Sequence, residues 1–345
     1  MGAAICEPTV MLTLSPLLLL PALLVALLAD ALFGWPDAIT RRIGHPVIWV
    51  GWLIDRLDKA LNGETLPEER RRFNGIVTLA TLLAITGGVA VALQTLIFSL
   101  LSLWWAVLAL GLLMAPLLAQ KSLYEHVDAV GRALRSEGLE GGRREIAKIV
   151  GRDPETLDEH AIGRAAVESL SENFSDGVIA PAFWAAIGGL PGIVMYKAIN
   201  TADSMIGHKT DKHRAFGWAA ARLDDLVNLP ASRLSALIIL TAALVKLPEA
   251  KPRKAATAVF RDARHHRSPN AGWPEAAMAG ALEIRLGGPR VYGGEAVDDA
   301  WMGNGRETVD ADDIDRALGL FIISCATNMA LVAVVLALLT GWIGF

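Results

Sequence analysis

Residues 74–120 contain no Asp, Glu, Lys or Arg. A run of 47 uncharged, mostly apolar residues leaves a chain few options, because neither a solvated loop nor one soluble-core helix accommodates it. A single bilayer crossing takes roughly 20 residues, so the run predicts two spans joined by a tight turn. Residues 11–29 and 317–345 are also free of charge. Spans are therefore expected near 10–30, 75–97, 103–119 and 318–342. The composition agrees. Of 345 residues, 53% are hydrophobic and only 20% charged, below the roughly 25% of an ordinary soluble domain.

The basic residues set the expected orientation. Residues 1–40 hold no Lys or Arg, so the first span lacks the basic leader of a cleavable signal peptide. Arg41, Arg42, Arg70, Arg71 and Arg72 lie between the first two spans, which places that loop in the cytoplasm and the N-terminus outside. The hairpin 75–119 returns the chain to the inside at Lys121, and the last span carries it out again. Cys6 and Cys325 stand far apart in apolar surroundings and make neither a disulfide framework nor a metal site. The net charge of −4 says little about partners, and nucleic acid is not expected among them.

The fold expected is all-α: a polytopic helical membrane protein with a large, mostly cytoplasmic helical region and re-entrant or interfacial segments. Residues 1–120 form the N-terminal membrane region, 121–316 the cytoplasmic catalytic region, and 317–345 the C-terminal span. Two apolar stretches interrupt the middle region. Residues 177–196 contain Pro181, Gly188, Gly189, Pro191 and Gly192, a poor recipe for one continuous helix. Residues 231–247 include an uncharged run of only twelve, 234–245, short for a crossing. Both are read as dipping in and returning, since Lys209, Lys212, Arg214 and Arg222 between them favour the cytoplasm. Elsewhere the middle region reads as helical. One helix starts at Asp153-Pro154, with Asp as N-cap and Pro at N1. Another starts at Pro274 and stops at Gly287-Gly288.

The chemistry is concentrated in three clusters. In ESLSENFSDG, the acids Glu168, Glu172 and Asp176 are spaced i, i+4, i+8, which on a helix puts like charges on one face. A cation relieves that repulsion, and these are the hard oxygen donors Mg²⁺ prefers. The competing reading is a solvated helix face. In KAINTADSMIGHKTDKHRAFG, residues Lys197, Asn200, Asp203, Lys209, Lys212, His213 and Arg214 mix cations with acids and imidazoles. Cations of this kind meet phosphate or carboxylate oxygens, whereas a loop that only touches lipid headgroups has no need of the acids. Asp224 and Asn228 follow on one helix face, as cap or cation ligands. The third cluster, RDARHHRSPNAGWPEAAMAGALEIRLGGPRVYGG, holds His265, Asn270, Arg290 and Tyr292. Its paired glycines permit close backbone approach to a ligand. It is not a Walker A loop, and His265-His266 is not a zinc motif. Together the clusters suit phosphate-containing substrates with Mg²⁺.

The ordered set GHPV, GRDP, ESLSENFSDG, KAINTADSMIGHK, HRSPNAGWPEAAMAGAL and RLGGPRVYGG resembles the CbiB/CobD family of cobalamin biosynthesis, across nearly the whole chain. The resemblance implies an adenosylcobinamide-phosphate synthase in the cell inner membrane, with its active region facing the cytoplasm. Such an enzyme joins a propionate carboxyl of adenosylcobyric acid to the amine of (R)-1-amino-2-propanol O-phosphate, or threonine phosphate, using ATP and Mg²⁺. On that reading Glu168, Glu172 and Asp176 hold the metal. Asp203, Lys209, His213 and Arg214 act in catalysis, and Lys197, Asn200, Lys212, His265, Asn270, Arg290 and Tyr292 bind substrate or phosphate. Membrane lipid and other membrane enzymes of nucleotide-loop assembly are the expected neighbours. The rivals are a non-enzymatic membrane sensor or accessory protein, and a membrane phosphotransferase. The latter needs an arginine-bearing DG motif, which Asp176-Gly177 followed by VIAPAFW does not supply.

Overall fold

The computed structural model describes residues 15–343, apart from residues 64, 151–152, 209, 249, 293–294 and 298. In chain order the helices are α1 Pro16–Phe33, α2 Asp37–Ile43, α3 Pro46–Leu61, α4 Glu68–Leu100, α5 Leu103–Met114, α6 Gln120–Ile146, α7 Glu159–Phe174, α8 Ala180–Ile206, α9 Trp218–Lys246, α10 Ala250–Asp262 and α11 Gly272–Leu282. Four short strands follow, β1 Leu286–Gly287, β2 Arg290–Tyr292, β3 Glu295–Val297 and β4 Trp301–Met302, and then α12 Ala311–Ile343. Among the described residues, six helical stretches are long and apolar enough to cross a membrane: Pro16–Phe33, Glu68–Leu100, Leu103–Ile146, Glu159–Ile206, Trp218–Lys246 and Ala311–Gly341. Their outward side chains fit lipid better than water. Leu100, Trp104 and Leu338 are 72%, 74% and 66% exposed, a costly surface for a soluble protein.

The described residues fall into two compact units. One draws on Met1–Ala119, Ala180–Val227 and Leu331–Phe345, the other on Gln120–Ile179 and Asn228–Ala330. In the first, α1 packs on α5 and α8, α4 on α8, and α3 on both α4 and α8. Its core includes Ile54, Leu79, Leu82, Ala198, Ala202, Ile206, Phe216 and Ala220. Lipid tails are as apolar as leucine, so helices in a membrane associate through close approach more than through escape from water. Gly111 is such a contact. A Cβ there would sit 2.6 Å from the Ala22 carbonyl oxygen and 2.6 Å from Val25 Cβ, so α1 and α5 meet only because that position is bare.

In the second unit α6 packs on α7, α10 on α11, and α11 on α7. Phe174 and Phe321 meet edge to face, with ring centres 5.7 Å apart. Strands β1 and β4 pair antiparallel, Leu286 opposite Met302, and β2 pairs with β3, Arg290 opposite Val297. These strands correct the expectation that the middle region is helical throughout. Glycines at 287, 288 and 303 take positive φ, which ends helical propagation between 283 and 310.

Other expectations shift in detail. Asp153 does cap, accepting from the Glu155 N–H at 3.0 Å, but it caps only the 3-10 turn Pro154–Thr156. The helix itself begins at Glu159, where Asp158 accepts from the Ala161 N–H at 2.7 Å. Helix α11 starts at Gly272 and ends at Leu282, where Glu283 turns left-handed at φ 58. Segment 177–196 lies partly in the π-helical turn Ser175–Ile179 and partly in α8. Gly189 bends α8 at φ 60, ψ −141, and Pro191 is carried inside it. The twelve uncharged residues 234–245 are one part of the 29-residue α9. Both segments are thus longer as helices than their uncharged cores suggest, because polar residues continue each helix beyond them.

Candidate functional site

In the first unit, the amphipathic helix α3 carries an acid on its buried side. Ile54 and Asp58 are its two buried residues, one turn apart. The Asp58 side chain, only 7% exposed, accepts from Lys212 Nζ at 2.6 Å and lies 3.5 Å from His213 Nε2. Its other oxygen accepts from Asn62 Nδ2 at 2.8 Å. Asn62 also donates to the Lys212 carbonyl at 3.1 Å and accepts from Arg71 Nε at 2.9 Å. Arg71 reaches the same carbonyl with its terminal nitrogen. Burial alone would raise the Asp58 carboxyl, but the hydrogen bonds from Lys212 and Asn62 and the charge of Lys212 outweigh it and hold the group below its ordinary value. The loop 207–217 is thus tied to α3 and α4 through one buried carboxylate. It is seated by glycine as well, since a Cβ on Gly75 of α4 would collide with the Phe216 carbonyl.

The structure therefore brings Lys212 and His213 together, with Lys212 still half exposed. Arg214 stands apart, exposed and 3.9 Å from Glu68. Lys209 lies outside the described residues. Asp203, half-buried near the end of α8, is within electrostatic reach of Asp225 and His208. Asn200 Nδ2 approaches Asp224 Oδ1 at 3.4 Å. Lys197, three residues earlier on α8, lines an apolar cavity.

In the second unit the acidic ladder is not uniform. Glu168 is buried and accepts from the Gly287 N–H at 2.7 Å, which anchors β1 to α7. Glu172 is exposed and Asp176 half-buried. Asp176 falls in the π-helical turn Ser175–Ile179, so only Glu168 and Glu172 share the α-helical i, i+4 spacing. Among the described residues, no group of three or more His, Cys, Asp or Glu gathers as an all-protein metal cage requires. Mg²⁺ asks for less. It keeps waters and takes one or two carboxylates with phosphate oxygens.

The HRSPNAGWPE stretch is wired internally. His266 Nδ1 accepts from the Ser268 N–H at 3.0 Å, and Ser268 Oγ accepts from the Asn270 and Ala271 N–H groups at 3.2 and 3.3 Å. Asn270, buried, accepts from Arg233 at 2.9 Å and Ser232 at 3.1 Å. The Arg233 guanidinium lies 4.6 Å above the Trp273 ring. His265 is exposed. Arg290 and Tyr292 pair through the backbone in β2, and their side chains lie outside the described residues.

Sequence reasoning missed Asp58, Asn62, Arg71 and Arg233. The signal for Asp58 was present: an acid four residues after Ile54, on the apolar side of an amphipathic helix, must find partners. Which loop supplied them was not written in α3.

Long lipid-facing helices with polar clusters at and beyond their ends define a multi-pass helical membrane protein. Within that class the chain belongs to the CobD/Cbib protein family, which matches residues 23–321. It is 50% identical over 304 residues to a protein of Sinorhizobium sp named "Cobalamin biosynthesis protein CobD", covering 88% of this chain and 94% of the relative. Proteins of the same name are 51% identical over 317 residues in Sinorhizobium fredii (strain NBRC 101917 / NGR234), 90% and 95% covered, and 45% identical over 320 in Brucella suis biovar 1 (strain 1330), 92% and 97% covered. No solved structure matches the chain.

Proposed function

We propose that this chain is an adenosylcobinamide-phosphate synthase of the inner membrane. It forms an amide between adenosylcobyric acid and (R)-1-amino-2-propanol O-phosphate, or threonine phosphate, at the expense of ATP with Mg²⁺. The observation that carries the reading is similarity along nine-tenths of both chains to proteins named for cobalamin biosynthesis. A carboxylate does not condense with an amine unaided. Transfer of the ATP γ-phosphoryl group to the carboxylate oxygen gives an acyl phosphate and ADP. The amine nitrogen then attacks the acyl carbon, the C–O bond to phosphate breaks, and phosphate leaves.

The residues support a division of labour. Glu172 and Asp176 would hold Mg²⁺, which neutralises phosphate charge during transfer. Lys212, oriented by Asp58 and half in solvent, would meet a phosphate oxygen, and Arg214, exposed on the same loop, is a second candidate cation. His213, with Nε2 turned to Asp58, takes the proton that the attacking ammonium must lose. Asp203 and Asn200 near the end of α8 are the further candidates of this unit for the remaining substrate groups. The arginines at 41, 42 and 70–72 support a cytoplasmic site.

The test is direct. Purified protein is incubated with adenosylcobyric acid, ATP, Mg²⁺ and each candidate amine, and the products are identified by mass. An amide product with stoichiometric ADP is expected. Full-length folded protein that makes no amide and turns over no ATP with any of the amines overturns the reading and favours an accessory role.

A further inference from the structure

A cavity of about 300 Å³ opens in the first unit between α3, α4, α5 and α8. Its walls are apolar, mostly aliphatic with Trp49, apart from Thr86 and one cation, Lys197. On α8, Leu190, Val194 and Lys197 fall at i, i+4, i+7, one face of a helix about 10 Å long at 1.5 Å per residue. On α4, Thr86, Ala90 and Leu93 repeat that spacing. Several wall residues also reach the outer surface, with Trp49 52%, Val89 56% and Leu93 42% exposed. The cavity therefore communicates with the lipid-facing side of the protein.

Its cationic end is marked by α3. His45 Nδ1 accepts from the Val47 N–H at 3.2 Å and caps that helix. Burial lowers the His45 imidazole below its ordinary range, against a backbone hydrogen bond at Pro116 and assisted by the nearby Lys197 charge. Lys197 is thus the cation at this end. Trp49 and Trp52, both more than half exposed, sit on the same helix, and exposed tryptophans of this kind mark the membrane–water interface. A largely apolar cavity that holds one ammonium and opens to the lipid-facing side matches the polarity of a phospholipid, an anionic head joined to hydrocarbon. At the lower end of the roughly 300–1,000 Å³ range of ligand sites, it is far too small for a corrin ring.

We propose that this cavity binds one acyl chain of an anionic phospholipid, with Lys197 engaging the headgroup phosphate. The site takes Lys197 out of the substrate-binding set expected from the sequence, and its test needs no catalytic assay.

The full-length protein is reconstituted in vesicles of phosphatidylcholine and phosphatidylglycerol, 7:3, in which one lipid at a time carries a photoactivatable group on its acyl chain. Labelled peptides are mapped by mass spectrometry. Labelling should concentrate on residues 46–53 and 85–93 and favour phosphatidylglycerol by about fivefold, the effect of one lysine near an anionic surface. Lys197→Gln should remove the preference, Lys197→Arg should keep it, and Ala90→Phe should depress labelling with either lipid. Three results would each overturn the proposal. One is equal labelling by the two lipids in the unaltered protein. Another is labelling no greater than at Val334 and Leu338 on α12. The third is loss of the preference on adding inorganic phosphate at constant ionic strength, which would give Lys197 to a soluble phosphate.

Discussion

Replacing Asp58 by Asn keeps the size of the side chain and removes its charge. In the native protein one carboxylate oxygen takes the Asn62 amide at 2.8 Å and the other takes Lys212 at 2.6 Å. Asparagine has a single acceptor oxygen, so its NH₂ group must face one of two donors. A buried donor left facing a donor costs about 1–3 kcal/mol. The lost ion pair adds about 1 kcal/mol rather than the 3–5 of a fully enclosed pair, because Lys212 is half exposed and water screens it. We expect a total loss of about 2–4 kcal/mol. In a cycle with Lys212→Met, Asp58→Asn should cost about 1 kcal/mol less than it does alone. Reversible unfolding in mixed micelles, followed by helicity, measures all four proteins. The pH dependence has a fixed sign. The folded carboxyl lies below its ordinary value, so the coupling is fully present above the unfolded pKa of about 3.9 and fades as pH falls through the lower folded value. Effects that add within about 0.3–0.5 kcal/mol, or a coupling that vanishes between pH 8 and 6, would refute the account of this clamp.

Three further outcomes are expected. Glu172→Ala and Asp176→Ala should each lower amide formation by about 100-fold or more while leaving thermal unfolding nearly unchanged, since neither side chain is deeply buried; a Mg²⁺ titration that does not shift would remove them from the metal role. Glu168→Gln should instead destabilise the protein by about 1–3 kcal/mol, because the buried acid that receives the Gly287 N–H loses a charge-assisted bond; denaturant unfolding checks it. Gly111→Val should fail to accumulate as folded protein, as its side chain would enter the Ala22 backbone and Val25; size-exclusion profiles of membrane extracts decide that.

Charge distribution revealed the membrane character because it is a bulk property: α4, α5 and α12 occupy the uncharged runs at 74–120 and 317–345. The helix at 234–245 looked short because its polar ends, including Asp224 and Lys246, do not register as hydrophobic. Proline and glycine correctly announced a break at 177–196, where Gly189 leaves helical geometry and kinks α8. Asp58 escaped notice for a different reason. Its partners Lys212 and His213 are 154 and 155 residues away, and no local pattern encodes so distant a contact. The acidic ladder was legible as composition but not as geometry, since a π-turn at Ser175–Ile179 depends on how α7 and its neighbours pack.

The two units are not consecutive lengths of chain. The first is begun by the N-terminal helices, resumed by 180–227 and completed only by residues from 331 onward, while the second takes up 120–179 and 228–330. During synthesis, then, neither half can close its interior before much of the other has left the ribosome. Early helices such as α1 and α4 must wait in the bilayer with provisional neighbours until α8 arrives. A nascent chain stalled near residue 170 would hold two unfinished cores at once, and a protease or insertion chaperone would meet it as unassembled helices rather than as one mature domain and one tail.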